Sequence, residues 1–186
     1  MLMRDVGFER KMKRYFTLIL ILFLVGCGGN KPYPSERLQQ PAGKFSFVTP
    51  DCWYRTKLAG IAFIIVSTDA DYGARPNIYV DSVEPSGTLQ DVATRVTKQN
   101  KVNYESYSVS QQVDFATASG LQGLKITAGR KNKDALPLAL IHYLIAAEGR
   151  IIVITCSCAE PVRTKYELIF DQTIKSLEEE RKPTKP

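Results

Sequence analysis

Two long apolar segments joined by a tight turn constrain the fold of this chain more than any other feature. Residues 137–147 and 150–158 are apolar at almost every position, and Glu148 and Gly149 lie between them. Successive side chains of a strand point to opposite faces, so such a segment needs cover on both sides. The pattern predicts an antiparallel hairpin inside a sheet that has helices on both faces.

Further strands are predicted from alternating apolar positions and from turn residues. The chain is expected to start with a hairpin-like unit in which Phe45–Val48 turns at Pro50 into a segment opened by Trp53. Other strands are expected at residues 60–67, 77–84, 104–115 and 124–128. Gly120 to Gly123 is predicted to be a turn. The loop 68–76 is a candidate rim for a binding site.

Two amphipathic helices are predicted. Thr88 and Asp91 have the spacing of a capping box, and Pro161 has the character of a first helical residue. The apolar stripes consist of Leu89, Val92, Ala93 and Val96 in the first helix, and of Val162, Tyr166, Ile169, Phe170, Ile174 and Leu177 in the second. We therefore expect an α/β (α+β) fold, an α-β-α sandwich with a largely antiparallel central sheet flanked by helices.

The amino terminus has the pattern of a secreted lipoprotein. Basic residues at Lys11, Lys13 and Arg14 precede the apolar run Tyr15–Val25, and Gly26 and Cys27 follow. The run is shorter than the roughly 20 residues that a membrane-spanning helix needs. It resembles the lipobox of bacterial prolipoproteins, which predicts removal of residues 1–26 and lipidation of Cys27. The alternative is an ordinary secretory signal.

The domain organisation follows from this signal. Residues 27–43 contain three prolines and are expected to be a flexible tether, residues 44–177 the domain, and residues 178–186 a disordered tail. Acidic residues near Met1 leave Met12 as an alternative start. Gly28 replaces the aspartate that favours inner-membrane retention in some sorting systems, so we expect an outer-membrane lipoprotein facing the periplasm, with the inner membrane as the alternative.

Charge argues against a nucleic-acid partner. The whole chain carries a formal net charge of +6, but residues 1–26 hold five basic and two acidic residues, which leaves +3 for residues 27–186. The remaining basic residues are spread along the chain rather than grouped in a stripe.

Three cysteines remain after Cys27. Cys156 and Cys158 should lie on one face of a strand, and a direct bond between them would strain it. Cys52 could form a disulfide with Cys158, or with Cys156 as the alternative partner, since disulfides persist in the envelope. Three buried, inert thiols are an equally good interpretation.

The sequence contains no constellation that identifies a reaction or a metal site. Motifs of serine hydrolases, zinc proteases and phosphate-binding loops are absent, and the only histidine, His142, lies in an apolar strand. Asp69, Asp71 and Asp81 could gather a cation, but a solvated turn is the more common role of such residues. The sequence therefore predicts no catalytic residue, no metal ligand and no cofactor.

Several short segments resemble the PsbP-like and DcrB-like domain family over about residues 44–177. They are Phe45–Pro50 with Trp53 and Tyr54, Ile64–Ser67, Asn77–Val80, Leu89, Phe115–Gly123 and Phe170–Leu177. The resemblance implies an α-β-α sandwich. Cys52 stands where that family usually has glycine before the tryptophan, which is a further reason to suspect a disulfide.

Members of this family act mostly as binding or assembly factors. The resemblance, together with the lipobox, predicts a lipid-anchored envelope protein whose non-catalytic domain binds a protein partner or a small ligand. The alternative is an envelope hydrolase or metal-binding protein with an unrecognised site.

Overall fold

The computed structural model describes residues 35–40, 44–58, 61–84, 87–104, 106–131 and 136–180. The strands are β1 (Arg37–Gln40), β2 (Phe45–Val48), β3 (Trp53–Leu58), β4 (Ile61–Ser67), β5 (Asn77–Glu84), β6 (Ser108–Ala116), β7 (Gln122–Lys131), β8 (Pro137–Ala147), β9 (Arg150–Ala159) and β10 (Glu178–Glu179). The helices are α1 (Leu89–Asn103) and α2 (Arg163–Lys175), and a 3-10 turn at Glu160–Val162 precedes α2. No helix among these residues is both long and apolar enough to cross a membrane.

The main sheet has seven strands in the order β3-β4-β5-β9-β8-β7-β6, and all of its neighbours are antiparallel. The predicted hairpin is β8 and β9, which lies inside the sheet as expected. Nearly every position of the hairpin is apolar because both of its faces are covered. Ile151 and Val153 pack with α1, whereas Ile152 and Ile154 pack in the core under α2.

These two cores make the predicted sandwich, and the α+β fold is confirmed. The larger core contains the α2 side chains Tyr166, Phe170 and Ile174. The smaller core lies under Val92 and Ala93 of α1. Burial of a side chain such as Val92, Ile174 or Phe170 stabilises the fold by roughly 1.5–3 kcal/mol relative to leaving it exposed.

The capping box predicted for α1 is present. The Thr88 side chain accepts the Asp91 N–H at 3.1 Å, and the Asp91 carboxylate accepts the Thr88 N–H at 3.2 Å. Tyr104, which was expected to begin a strand, instead follows the last turn of α1, and its N–H donates to the Asn100 carbonyl. The strand β6 therefore starts later than predicted, at Ser108.

The predicted hairpin-like start is wrong. β2 pairs with β1 and β10 in a separate three-stranded sheet, and β3 pairs with β4. The physical reason is that Phe45 and Phe47 are both fully buried in the core under α2, which places β2 beside α2 and not in the plane of β3.

Three boundaries also differ from those predicted. β1 lies in the expected tether and β10 in the expected tail, because both hydrogen-bond to β2. An ion pair of 3.1 Å between Arg37 and Glu178 joins these two outer strands. Pro161 belongs to the 3-10 turn rather than to the first turn of α2.

Candidate interaction site

A groove with a volume of about 780 Å³ lies between α1 and the edge strand β6. It exists because α1 packs over β7 and β8 and leaves β6 uncovered. Its lining residues come from both elements and from the segment between them: Gln90, Ala93, Thr94, Thr97, Lys98, Lys101, Val102, Tyr107, Ser108, Val109 and Gln112. One hydrogen bond spans it, from Gln112 Nε2 to Gln90 Oε1 at 2.9 Å.

The helix contributes a polar stripe to this groove. Thr94, Thr97, Lys98 and Lys101 follow the i, i+3, i+4, i+7 spacing of one helical face, next to the stripe that enters the core. Both lysines are exposed. The helix thus presents hydroxyl groups and two ammonium groups to whatever occupies the groove.

The groove is positively charged. Lys98 and Lys101 are the charged residues in its lining, which includes no aspartate or glutamate. Neither lysine forms an ion pair with another of the described residues. An anionic group would therefore gain from both ammonium groups without displacing an existing partner.

Tyr107 lines the groove, and its hydroxyl is buried. Tyr107 is 6% exposed, and the Thr97 hydroxyl interacts with its hydroxyl. Burial raises the pKa of Tyr107 to about 12, and the Thr97 hydroxyl partly opposes this shift.

The strand β6 has an open edge. It pairs with β7 on one side and, among the described residues, with no strand on the other. Every side chain from Ser108 to Asp114 is exposed, including Val109 at 38% and Val113 at 39%. Unpaired backbone groups beside exposed valines are the features that an added strand requires.

The two valines lie on opposite faces of the sheet. Val109 pairs with Ala128, which packs on the α1 side, whereas Val113 pairs with Lys125, which forms ion pairs with α2. An irregularity in the pairing lies between Val109 and Gln111. The regular ladder of β6 therefore extends from Gln111 to Ala116.

The structure does not bring Cys52 and Cys158 together. All three cysteines in the described residues are free, with Cys52 exposed and Cys156 and Cys158 buried. β4 and β5 lie between β3, which Cys52 precedes, and β9. Three strand spacings amount to about 14 Å, whereas disulfides need Cα atoms within about 7 Å. Cys156 and Cys158 do share one face, as predicted, and both belong to the core under α2.

His142 is a buried residue and not part of an accessible site. Its Nδ1 lies 2.8 Å from the Thr155 hydroxyl, and its Nε2 is buried without a partner among the described residues. Burial lowers the pKa of His142 to about 4, so the ring is neutral at pH 7. The ring packs 6.2 Å from that of Tyr107, centroid to centroid.

The loop 68–76 is attached to α2 rather than open as a rim. Tyr166 donates to Asp71 at 2.6 Å, and the Lys165 ammonium lies 3.3 Å from the same carboxylate oxygen. The Tyr166 hydrogen bond holds the pKa of Asp71 below its usual value. No group of three His, Cys, Asp or Glu side chains with metal-site geometry occurs in the described ranges, and the Asp81 side chain lies outside them.

Lys125 and two carboxylates of α2 form a connected polar cluster on the α2 side of the sheet. The Lys125 ammonium lies 2.7 Å from Glu167 and 2.8 Å from Asp171, and Tyr143 donates to Asp171 at 2.6 Å. Burial alone would lower the pKa of Lys125, but its hydrogen bonds to the two carboxylates outweigh burial and raise it. These groups satisfy one another, which indicates a structural role.

Sequence reasoning missed the groove, although its signal is present. The polar residues of α1 repeat with the helical period, and β6 is polar or exposed at successive positions. What the sequence could not supply is that these two elements adjoin at the end of the sheet. Cys27 and the lipobox lie outside the described residues, so the predicted lipidation stays a prediction.

Comparison with known proteins gives structural but not sequence relatives. No protein-family description matches the chain, and no curated protein does. Among solved structures, the cyanobacterial PsbP (CyanoP) of Synechocystis sp. PCC 6803 is similar with a TM-score of 0.59 at 16% identity, covering 83% of this chain and 95% of that one.

Two further structures share the fold. LpqN of Mycobacterium tuberculosis, described as involved in cell envelope biogenesis, has a TM-score of 0.55 at 11% identity and covers 78% of this chain and 87% of its own. The Ran-binding protein Mog1p of Saccharomyces cerevisiae also has a TM-score of 0.55 at 11% identity, with coverage of 78% and 95%. At these identities the similarity establishes a PsbP/Mog1-like fold.

Proposed function

We propose that this chain is an envelope lipoprotein, anchored through Cys27, whose domain binds a protein partner at the α1–β6 groove and does not catalyse a reaction. The observation that carries this proposal is the open outer edge of β6 beside a positively charged groove. A sheet edge gains main-chain hydrogen bonds from an added strand, and the adjoining groove selects its side chains.

The solved structures of this fold support a binding role. Mog1p is a Ran-binding protein, and LpqN is involved in cell envelope biogenesis. Fold similarity alone does not transfer a partner, so the binding surface is argued from this chain's own residues.

The state of the reactive side chains supports a non-catalytic domain. The thiols of Cys156 and Cys158 and the ring of His142 are buried in the sheet. Burial raises the pKa of both thiols, which disfavours the nucleophilic thiolate. Nucleophilic catalysis needs an activated nucleophile with access to substrate, and these groups have none.

Anchoring at Cys27 would hold the domain at a membrane surface. Stable attachment needs more than one acyl chain or a second signal, and lipidation with a diacylglyceryl group and an amino-terminal acyl group satisfies that need. We propose the outer membrane, facing the periplasm, as the site of attachment.

Partner capture with edge variants tests the binding function. The protein is retrieved from detergent-solubilised envelopes as wild type, as Val109→Lys with Val113→Lys, and as Leu168→Lys. Lysines on an edge strand oppose strand addition, so the β6 variant should retain less than a tenth of the partner. Leu168 is 63% exposed on α2 and serves as the matched control, which should retain it.

A photo-reactive residue in place of Gln111 adds a positional readout, because this side chain is exposed on β6. It should crosslink the partner that the β6 variant loses. Equal recovery of partner by all three proteins, with no crosslink from position 111, would contradict the proposed surface.

Processing of a Cys27→Ala variant tests the anchor. We expect the variant to keep its signal segment, while the native protein partitions into detergent and migrates with outer membranes on a sucrose gradient. Normal maturation of the variant, together with a native protein that is soluble without detergent, would contradict the anchor. Migration with inner membranes would contradict only the assigned membrane.

A further inference from the structure

We infer that the segment bound at this site is an extended acidic peptide, which adds as a strand outside β6 and places carboxylates against Lys98 and Lys101. This inference deepens the proposed function and rests on it. It is carried by three properties of the described residues: the charge of the groove, the open ladder of β6 and the two-sided position of its valines.

The charge step concerns the two lysines. They lie three residues apart on α1, about 4.5 Å along the helix axis, and no acidic residue lines the groove. In an extended peptide, side chains at i and i+2 point to the same face about 7 Å apart. Two carboxylates with that spacing are within reach of both flexible ammonium groups.

The hydroxyl groups of the groove favour the same occupant. Thr97 and Ser108 place hydroxyl groups in the lining of the groove. Hydroxyl donors satisfy carboxylate oxygens as readily as ammonium groups do, and hydrogen bonds to an ionised acceptor are the stronger kind.

The backbone step concerns length. The regular ladder from Gln111 to Ala116 offers an outer edge to about six residues of a partner. The partner must continue past the irregularity to Ser108 and Val109, which line the groove together with Lys98 and Lys101. Val109 and Val113 lie on opposite faces, so a paired strand would meet one valine on each face. The peptide should therefore have its acids on the α1 side, facing the groove lysines, and its apolar residues on the other face, beside Val113.

A second copy of this chain fits the site less well. Two copies paired symmetrically through β6 would place both α1 helices on the same side of the joined sheet. Lys98 and Lys101 of the two copies would then approach across the junction, and like charges in such positions oppose association. The charge of the groove thus favours an acidic partner over self-association.

Reciprocal charge exchange tests the inference with the full-length lipidated protein in detergent micelles. The probes are two fluorescent, capped eight-residue peptides in which valine alternates with glutamate or with lysine, and the readout is fluorescence anisotropy. We expect the wild type to bind the glutamate peptide at least tenfold more tightly than the lysine peptide. Lys98→Glu with Lys101→Glu should reverse that preference.

Three controls make the result specific. Lys175→Glu, on exposed α2 surface, should leave both affinities within twofold of the wild type. Lys98→Gln provides a milder variant if the double reversal does not fold, and it should weaken the glutamate peptide at least threefold. N-methylation of the glutamate peptide at alternate backbone positions should weaken it at least tenfold, because an added strand needs those N–H groups.

The contrary outcomes are distinct. Equal binding of the two peptides, or binding that N-methylation leaves unchanged, would overturn strand addition by an acidic segment. Displacement of the glutamate peptide by inorganic phosphate at similar concentrations would assign the lysines to a phosphate site. A concentration-dependent dimer that Val109→Lys abolishes would assign β6 to self-association.

The outcomes also separate this inference from the proposed function. In one outcome, the glutamate peptide fails to bind while the Val109→Lys and Val113→Lys protein still loses the partner in the capture experiment. That result would exclude an acidic strand as the ligand and would leave protein binding at β6 supported. Failure of both experiments would remove the binding surface itself.

Discussion

Gly123 of β7 lies directly against the backbone carbonyl of Leu144 in β8. A Cβ atom added at Gly123 would overlap that oxygen and would come within 2.8 Å of the Ile145 Cδ1 atom. The neighbouring strand cannot give way easily, because β8 is hydrogen-bonded to β7 and β9 along its whole length. Glycine is therefore required here by the close approach of two strands, whereas the sequence predicted a turn.

Substitution of Gly123 should destabilise the domain. We expect Gly123→Ala to lower the free energy of unfolding by roughly 1–3 kcal/mol, the usual cost of forcing extra volume into a packed region. Gly129→Ala is the matched control in the same strand, since an added Cβ there would meet its nearest atom at 4.0 Å. Urea unfolding of both variants checks this, and an equal loss would contradict the steric account.

The cluster around Lys125 should contribute to stability through its charge balance. Lys125→Met leaves Glu167 and Asp171 close together without their cation. We expect a loss of about 2 kcal/mol, below the usual range for a fully buried pair because the carboxylates are partly exposed. Lys175→Met, at an exposed position, should change stability by less than about 0.5 kcal/mol. Urea midpoints measure both, and a Lys125→Met protein as stable as the control would contradict the prediction.

The three thiols should differ in reactivity and should not be bridged. Cys52 is exposed and should react with iodoacetamide in the native protein. Cys156 and Cys158 should react only after unfolding, because burial raises the pKa of each thiol, that of Cys158 to about 12. Mass spectrometry of native and urea-treated samples measures this, and a Cys52–Cys158 peptide in a non-reducing digest would contradict the sheet order.

His142 should make the domain less stable at mildly acidic pH. Its folded pKa of about 4 lies below the unfolded value of 6.5, so between these values the unfolded state binds more protons and stability falls as pH decreases. From pH 7 to pH 5 the loss should be about 2 kcal/mol. The measurement is the difference in urea midpoint between these two pH values.

His142→Gln, which cannot titrate, separates this effect from that of the carboxylates. The variant should lose about 2 kcal/mol less than the wild type between pH 7 and pH 5, whatever its stability at pH 7. The same pH dependence in both proteins would show that His142 is not the group responsible.

The sequence was informative wherever a local pattern decides the structure. Apolar segments bounded by turn residues predicted β5 and β8 with the bounds that the structure shows, and the Thr88–Asp91 spacing predicted the start of α1. The α2 stripe was also predicted, because its apolar residues repeat with the helical period. The resemblance to PsbP-like domains pointed to the same sandwich that the solved structures share.

The sequence failed where contacts are distant along the chain. β10 pairs with β2 although more than 120 residues lie between them. β10 has two residues and β1 has four, and strands this short show too little periodicity to be predicted from the sequence. Cys52 and Cys158 appeared compatible as partners because nothing local shows that β4 and β5 separate them.

By itself, the sequence determined the layers of this protein. Strands with two apolar faces need cover on both sides, and two amphipathic helices can provide it. Only the tertiary structure decided which strand stands at the end of the sheet and how far α1 extends over it. That arrangement creates the groove and places Lys98 and Lys101 beside the open edge of β6.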